Sequence, residues 1–92
     1  MALYKLYRSS QGKKKYLVRF VYHGVLREVH FGHVDYQDYT QHRDEQRRHN
    51  YLRRSAGIRD GLGYLTKDDP TSPNYWSRRV LWASGEPFYG LM

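Results

Sequence analysis

Cysteine is absent from the 92-residue chain, so disulfide bonds and thiolate metal ligands are excluded. No apolar run approaches the roughly 20 residues that a membrane-spanning helix needs. The first residues also lack the apolar core of a signal peptide. Acidic residues are scarce, with nine Asp and Glu against sixteen Lys and Arg. We therefore expect a soluble, intracellular protein with an excess of positive charge.

Aromatic side chains and basic charge are what the sequence has in abundance. Ten Tyr, three Phe and two Trp make up 16% of the residues, a composition typical of cores with polar tips and of interfaces. The formal net charge is +7, and residues 1–34 hold seven of the Lys and Arg with a single acid. This charge favours acidic partners such as nucleic acid. The length predicts one small domain over residues 1–92.

Residues 1–32 are typical of a three-stranded antiparallel β-meander. Strands are predicted over residues 2–8, 15–22 and 25–31, the second of which alternates apolar and polar side chains. His23-Gly24 has the composition of a two-residue hairpin turn, because glycine tolerates the positive φ of such turns. Three strands need a covering layer on their apolar face. We expect the segment after His33 to supply it.

A helical segment is predicted over residues 33–56, with a break near Thr40 as an alternative. Asp35 is the expected N-cap. Tyr36 and Tyr39 are three residues apart and are expected to meet the sheet together. Further along this segment, the spacing of Asp44 and Arg48 predicts an i,i+4 ion pair beside the apolar face.

The rest of the chain predicts a loop over residues 57–71, a helix over 72–84 and an apolar tail over 85–92. Ser72 is a suitable N-cap and Pro73 suits the first helical position. Trp76, Val80 and Ala83 would form one stripe of that helix. The predicted fold class is therefore α+β, a three-stranded antiparallel β-meander packed against two short-to-medium helices.

No pattern in the sequence indicates an enzyme or a cofactor. His42-Arg43-Asp44 has the letters of a kinase catalytic loop, but the other kinase motifs are missing. His30, His33 and Asp35 have the residue types of a two-His, one-carboxylate metal set. Turn and surface histidines are the preferred interpretation, because zinc ligands normally show tighter paired spacing. We predict no catalytic residues, no metal site, no cofactor and no small-molecule substrate.

Two groups of basic residues could contact phosphates from different parts of the fold. One is a run at a predicted turn and the other is a stripe on a predicted helix. The alternative is a solvated turn and an ordinary charged helix face. The candidate nucleic-acid-binding residues are Lys13, Lys14, Lys15, Arg43, Arg47 and Arg54.

Several motifs, taken together over roughly residues 14–86, resemble a family of short proteins encoded by large double-stranded DNA viruses of algae and protists. The shared pattern is close to F-G, Y-x-D-Y-T-x-H-x-D, R-x-x-Y-x-x-R-H, D-P and W-S-R-W-x-L-W. Ser55 replaces a usual His, and Arg79 replaces a usual Trp. The residues that carry the resemblance are Phe31-Gly32, Tyr36 to Glu45, Arg47-Arg48, Tyr51 to Arg54, Asp69-Pro70 and Trp76 to Trp82.

The resemblance implies a viral protein of the particle, capsid or core, that is soluble in the host cell before assembly. With the aromatic content and the apolar tail, it predicts a non-enzymatic minor capsid or cement-type protein that bridges neighbouring shell or core proteins. The alternative is a basic virion protein that binds nucleic acid and helps to package the genome. The tail could instead fold back on its own domain. The expected partner-binding residues are Tyr75, Trp82, Phe88, Leu91 and Met92.

Overall fold

The structure of the chain, a computed structural model, describes residues 4–83. It begins with an antiparallel sheet in the order β1-β2-β3. The strands are β1 (Tyr4–Arg8), β2 (Lys14–Tyr22) and β3 (Val25–His33). His23 and Gly24 both have positive φ, at 52° and 78°, as a type I′ turn requires. The predicted α+β fold with a three-stranded meander is confirmed.

One face of the sheet carries the core and the other is open. Leu6, Val18 and Val29 lie side by side on the covered face, because the register pairs Leu6 with Val18 and Val18 with Val29. Val21 and Leu26 face each other on the opposite side of the sheet and are 57% and 61% exposed. The sheet is therefore buried on one side only.

The helical half of the protein, residues 39–81, contains shorter elements than the sequence predicts. They are α1 (Tyr39–His42), α2 (Glu45–Ser55) and α3 (Pro73–Trp76), which continues as a π-helical turn over Ser77–Leu81. A 3₁₀ turn spans Thr66–Asp68. Ser72 caps α3 and Pro73 is its first residue, as predicted. Within residues 4–83, no helix is long and apolar enough to cross a membrane.

The helical segment predicted over residues 33–56 begins later than expected, and it is divided into one short and one longer helix, as in the alternative with a break near Thr40. Its N-cap is Asp38 rather than Asp35, because Asp38 accepts from the Thr40 N–H in a capping box with Gln41. The break falls at Arg43, whose φ is 55°. Asp44 then caps α2 by accepting from the N–H groups of Gln46 and Arg47.

Two side-chain positions in this segment are also corrected. The Asp44 carboxylate binds the start of its own helix, so the ion pair of Arg48 is with Glu45, at 3.5 Å. Tyr39 is buried as predicted, but Tyr36 is 71% exposed, because it precedes the first helical turn.

The layer directly on the sheet is α3 with the π-helical turn, not the segment after His33. The Trp76 ring contacts Tyr4 and Phe20, with ring centroids 5.0 Å and 5.2 Å apart. Leu81 is buried, whereas Val80 of the predicted stripe is only partly buried. The wider π-turn explains this difference, since it shifts the following side chains around the helix axis.

Candidate functional site

A cleft of about 580 Å³ lies between α2 and the connection from β3 to α1. Its volume is typical of sites that bind small ligands or parts of larger ones. One wall is the polar face of α2, the opposite wall follows the end of β3, and the floor comes from the π-helical turn. The lining residues are Lys15, Gly32, His33, Tyr36, Gln37, Asp38, Arg47, Asn50, Tyr51, Arg54, Ser77, Leu81 and Trp82.

The α2 wall is cationic. Arg47, Asn50 and Arg54 follow one another at spacings of three and four, so they form a single row on the helix. Arg47 donates one hydrogen bond to the Gln37 side chain at 3.3 Å, and the Arg54 guanidinium lies 5.9 Å from the centroid of the Tyr51 ring. No carboxylate of residues 4–83 forms an ion pair with either arginine. Both guanidinium groups therefore keep donors free for an anion.

Lys15 has a structural role, because its ammonium group is bound by acceptors of the same chain. Its Nζ donates to the Asp38 carboxylate at 2.5 Å, to the Tyr36 carbonyl at 2.7 Å and to the Gln41 side chain at 2.9 Å. These contacts use all three N–H donors of the ammonium group, and the side chain is only 14% exposed. The same ion pair neutralises Asp38, the one acid among the residues that line the cleft. The cleft is left with a net positive charge from α2.

The floor of the cleft is aromatic. Tyr51 and Trp82 stack with their rings 4.2 Å apart and 6° from parallel. The Tyr51 hydroxyl donates to the Ser77 hydroxyl, and the Arg48 guanidinium donates to the Trp82 carbonyl at 2.8 Å. These contacts hold the end of the π-helical turn against α2, so the floor is fixed by the packing of the core.

The opposite wall is aromatic and depends on a glycine. Gly32 has a φ of 79°, and a Cβ atom there would lie 2.8 Å from Leu81 and 3.1 Å from the Lys15 Cβ. Glycine thus allows β3 to end directly against the π-helical turn. Beyond it, His33 and Tyr36 pack edge to face, 5.0 Å apart, at the mouth of the cleft.

A second cavity extends the basic surface toward the turn between β1 and β2. It shares Lys15 and Asp38 with the cleft and is also lined by Arg8 and Lys14. Lys13 is exposed at that turn, and its carbonyl accepts from the Val34 N–H at 3.1 Å. The turn is thereby tied to the end of β3, beside the cleft.

The structure brings together only part of the predicted nucleic-acid-binding set. Arg47 and Arg54 line the cleft and Lys14 lines the neighbouring cavity. Arg43 lies in the break before α2 and is therefore outside the predicted stripe. Its guanidinium lies over the Tyr39 ring. Lys15 is occupied by Asp38 and adjacent acceptors.

Sequence reasoning did not assign His33, Tyr36 or Asn50 to a binding cleft: His33 was considered only as a metal ligand, Tyr36 only as a residue that contacts the sheet, and Asn50 not at all. Asn50 had a usable signal, since it is three residues after Arg47 and four before Arg54. The placement of His33 and Tyr36 depends on Gly32 and on the late start of α1, for which the sequence has no periodic signal.

Two of the predicted partner-binding residues lie in the described part of the chain. Trp82 is 8% exposed and stacked on Tyr51, so burial in its own core leaves little of the ring for a partner. Tyr75 is half-buried, and the Arg79 guanidinium covers its ring at 3.6 Å. Phe88, Leu91 and Met92 lie outside the described residues.

The histidines considered for a metal have other hydrogen-bond partners. His30 Nδ1 shares a hydrogen bond with the Ser9 hydroxyl at 2.7 Å, and His33 Nδ1 accepts from the Asp35 N–H at 3.1 Å. Over residues 4–83, no group of three or more His, Asp or Glu side chains converges on one point.

A tyrosine with a raised pKa, Tyr39, lies at the junction of α1 and α2. The Tyr39 hydroxyl donates to the Glu45 carboxylate, which raises the pKa of Tyr39 above its ordinary value of 10.0, and burial adds to this effect. The Arg43 and Arg48 guanidinium groups act in the opposite direction. The pKa of Tyr4, whose ring packs on Trp76, is also raised, mainly by burial and further by Tyr75.

Comparison with known proteins identifies a family but no activity. A family of unknown function, DUF5754, matches residues 4–55. The matched segment holds all three strands, α1 and α2, and therefore both walls of the cleft. No curated protein and no solved structure matches the chain. Because the family match covers more than half of its length, the chain belongs to this family of unknown function.

Proposed function

We propose that the protein is a non-enzymatic nucleic-acid-binding protein whose cleft receives the phosphate backbone. The observation that carries this proposal is the pair of unneutralised guanidinium groups, Arg47 and Arg54, on one wall of a concave surface. Arginine binds phosphate oxygens through two N–H donors at once, so two arginines in a row suit a polyanion.

The charge of the whole chain supports a polyanionic partner. All sixteen Lys and Arg lie within residues 4–83. Four of them form ion pairs with Asp or Glu of this part of the chain, so most of the positive charge is not neutralised by such pairs. Lys14 lines the second cavity, which adjoins the cleft, and Lys13 precedes it at the exposed turn. Such an arrangement raises the local concentration of an anionic partner and guides it to the cleft.

The test is the salt dependence of binding to a labelled oligonucleotide. Each phosphate contact contributes about 0.9 to the slope of log affinity against log salt for duplex DNA. We expect the double variant Arg47→Gln/Arg54→Gln to reduce this slope by about two units. The matched control is Arg27→Gln/Arg53→Gln, which removes the same charge from exposed positions outside the cleft.

A unique role for the cleft requires the two double variants to differ. If both lower the affinity and the slope equally, binding depends on diffuse charge and the cleft is not the site. If the wild-type protein binds neither single-stranded nor duplex nucleic acid at low salt, the proposed function is wrong.

A structural protein of a virus particle is the second candidate, and the open face of the sheet favours it. Tyr7, Val21 and Leu26 are exposed there, on the side that no other described element covers. Exposed apolar side chains beside an ion pair, here Arg19 with Glu28, give this face the mixed composition that is typical of contact with another protein. In this role the chain would bridge neighbouring shell or core proteins.

This candidate has its own test in purified particles. The variant Val21→Thr/Leu26→Thr should lose incorporation while it keeps nucleic-acid affinity, and the protein should stay with shells emptied of their genome. Normal incorporation of that variant would contradict a bridging role for this face.

A further inference from the structure

We propose that the cleft is specific for single-stranded nucleic acid, with one base stacked on Tyr36 and the flanking phosphates on Arg47 and Arg54. This inference rests on the proposed nucleic-acid-binding function and names its ligand class. It starts from an unusual combination at Tyr36, whose backbone is firmly held while its side chain is 71% exposed.

Both backbone polar groups of Tyr36 have a partner. The Tyr36 N–H donates to the His33 carbonyl at 3.1 Å, and the Tyr36 carbonyl accepts from the Lys15 ammonium at 2.7 Å. Lys15 is itself held by the Asp38 carboxylate. The exposed ring is therefore presented from a fixed backbone, and a base that stacks on it need not order the backbone that carries it.

Tyr36 lines the cleft and leaves much of its ring open to solvent. Its one described ring contact is with His33, at 5.0 Å and an angle of 62°, which is an edge contact. Such a contact leaves area of the tyrosine face for a flat partner. Bases stack on aromatic side chains with little dependence on sequence, because every base has a π-face.

The dimensions of the cleft favour one strand over a duplex. About 580 Å³ is the volume of a small-ligand site, so the cleft has room for a nucleotide but not for a double helix. In a duplex the bases are stacked on one another and cannot reach an aromatic side chain, whereas an unpaired base can. A duplex could contact Arg47 and Arg54 through its phosphates, but it would leave Tyr36 unused.

The α2 wall supplies the remaining contacts. Arg47 and Arg54 are separated by two helical turns, roughly 10 Å along the axis at about 1.5 Å per residue. One strand of B-form DNA advances about 3.4 Å along the helix axis per phosphate, so the two arginines span about three nucleotides and can contact phosphates on either side of a central base. Asn50 lies between them, and its side-chain oxygen accepts from Gln46 at 3.0 Å, so its amide N–H donors remain for a base edge or a phosphate.

The experiment measures the affinity for a labelled oligothymidylate and for a duplex of the same length. The variants are Tyr36→Ala and Tyr64→Ala. Tyr64 is the matched control, because it is 69% exposed but lies on the loop near Arg59, outside the cleft. Both positions are exposed, so thermal unfolding should be unchanged in both variants.

We expect the wild-type protein to bind the single strand more tightly than the duplex. Loss of one stacked base should weaken binding of the single strand to Tyr36→Ala by about tenfold, with an unchanged salt slope and an unchanged affinity for the duplex. Tyr36→Phe should bind as the wild type does, since it keeps the aromatic face. Tyr64→Ala should stay within about twofold of the wild type.

Three results would overturn the inference: equal affinity for single strand and duplex, an equal loss of both in Tyr36→Ala, or no loss at all in Tyr36→Ala. Each of these leaves the proposed function intact if Arg47→Gln/Arg54→Gln still lowers the affinity and the salt slope. Failure of the arginine variant to lower them removes the proposed function itself, whatever Tyr36→Ala does.

Discussion

The sheet and the helical half of this protein are held together by different kinds of hydrogen bond. In the sheet, β2 pairs through backbone groups with β3 along almost its whole length and with β1 from Tyr16 to Phe20. In the helical half, side chains bind backbone carbonyls of other elements and loops, 6 to 34 residues away in the sequence. These bonds run from Arg48 to Trp82, from Arg78 to Leu52, from Asn74 to Ser55, from Trp76 to Pro70 and from Arg79 to Lys67.

This difference has a consequence for stability. A ladder distributes its stabilisation over many equivalent bonds, so no single side chain decides whether the sheet forms. Helices as short as α1 and α3 are marginal alone and depend on tertiary contacts. Single side chains of the helical half should therefore have large effects, and the cleft, which lies between the two regions, depends on both.

The largest expected effect comes from Trp76→Ala, which separates the two regions. The ring is buried between Tyr4, Phe20 and Tyr75, and its Nε1–H donates to the Pro70 carbonyl at 2.7 Å. Truncation of a buried tryptophan costs about 3–5 kcal/mol, which is comparable with the whole stability of a small domain. We expect a largely unfolded protein by circular dichroism.

The control for this variant is Tyr64→Ala, an aromatic truncation at an exposed position that should change the unfolding free energy by less than about 0.5 kcal/mol. Native thermal unfolding of Trp76→Ala would show that the tryptophan does not join the helices to the sheet.

Gly32→Ala should have the second largest effect, and Gly24→Ala is its control. Both glycines have positive φ, at 79° and 78°, where a side chain costs roughly 1–2 kcal/mol. Gly24 has open space around it, whereas a Cβ at Gly32 would press on Leu81. We expect Gly32→Ala to lose about 3 kcal/mol in urea unfolding, with the excess due to overpacking. Equal losses would mean that β3 and the π-helical turn are not in close contact.

Arg78→Met tests the side-chain bonds of the helical half. The Arg78 guanidinium donates to the Leu52 carbonyl and to the Ser55 hydroxyl, both at 2.6 Å, at the C-terminal end of α2. Ser55 is 1% exposed, so water cannot replace this donor. We expect a loss of about 2 kcal/mol. Arg53→Met, at an exposed position of the same helix end, should cost less than about 0.5 kcal/mol.

The smallest effect is a pH dependence that arises at Tyr39. Its hydrogen bond to Glu45 raises the pKa of Tyr39 above 10.0, so the folded state favours the protonated hydroxyl. This contribution to stability is present below pH 10.0 and is lost as the pH rises through the raised pKa. In urea unfolding between pH 9 and pH 11, the loss of stability should be less steep for Tyr39→Phe than for the wild type. Equal slopes would contradict the assignment.

The same contrast explains how much of the fold could be predicted from the sequence. The sheet was predicted with strand ends within a residue or two over the described part, because alternation of period two and the His23-Gly24 turn are local signals. The break of the helical segment is only an alternative near Thr40 in the sequence, and it falls at Arg43, since both Asp38 and Asp44 can cap a helix and nothing local shows that both do. A 3.6-residue period does not indicate a π-helical turn, so the sequence does not identify Leu81 as a core residue.

The cleft was predictable on one side only. Arg47 and Arg54 follow from helical spacing, which survives because both lie within the uninterrupted α2. Lys15 was placed among the free basic residues, although the fold gives it three acceptors that lie 21 to 26 residues away in the sequence. The spacing of Tyr36 and Tyr39 predicts that Tyr36 contacts the sheet. Tyr36 is exposed instead, because α1 begins only after the capping box of Asp38.

The most direct test of the central claim is an amide chemical-shift titration of the intact protein with a short oligothymidylate. Binding in the cleft predicts the largest shifts at Gly32, His33 and Tyr36 on one wall and at Asn50 on the other, with little change at the open face of the sheet. Shifts concentrated at Val21 and Leu26, or spread evenly over all basic residues, would show that the cleft is not where nucleic acid binds.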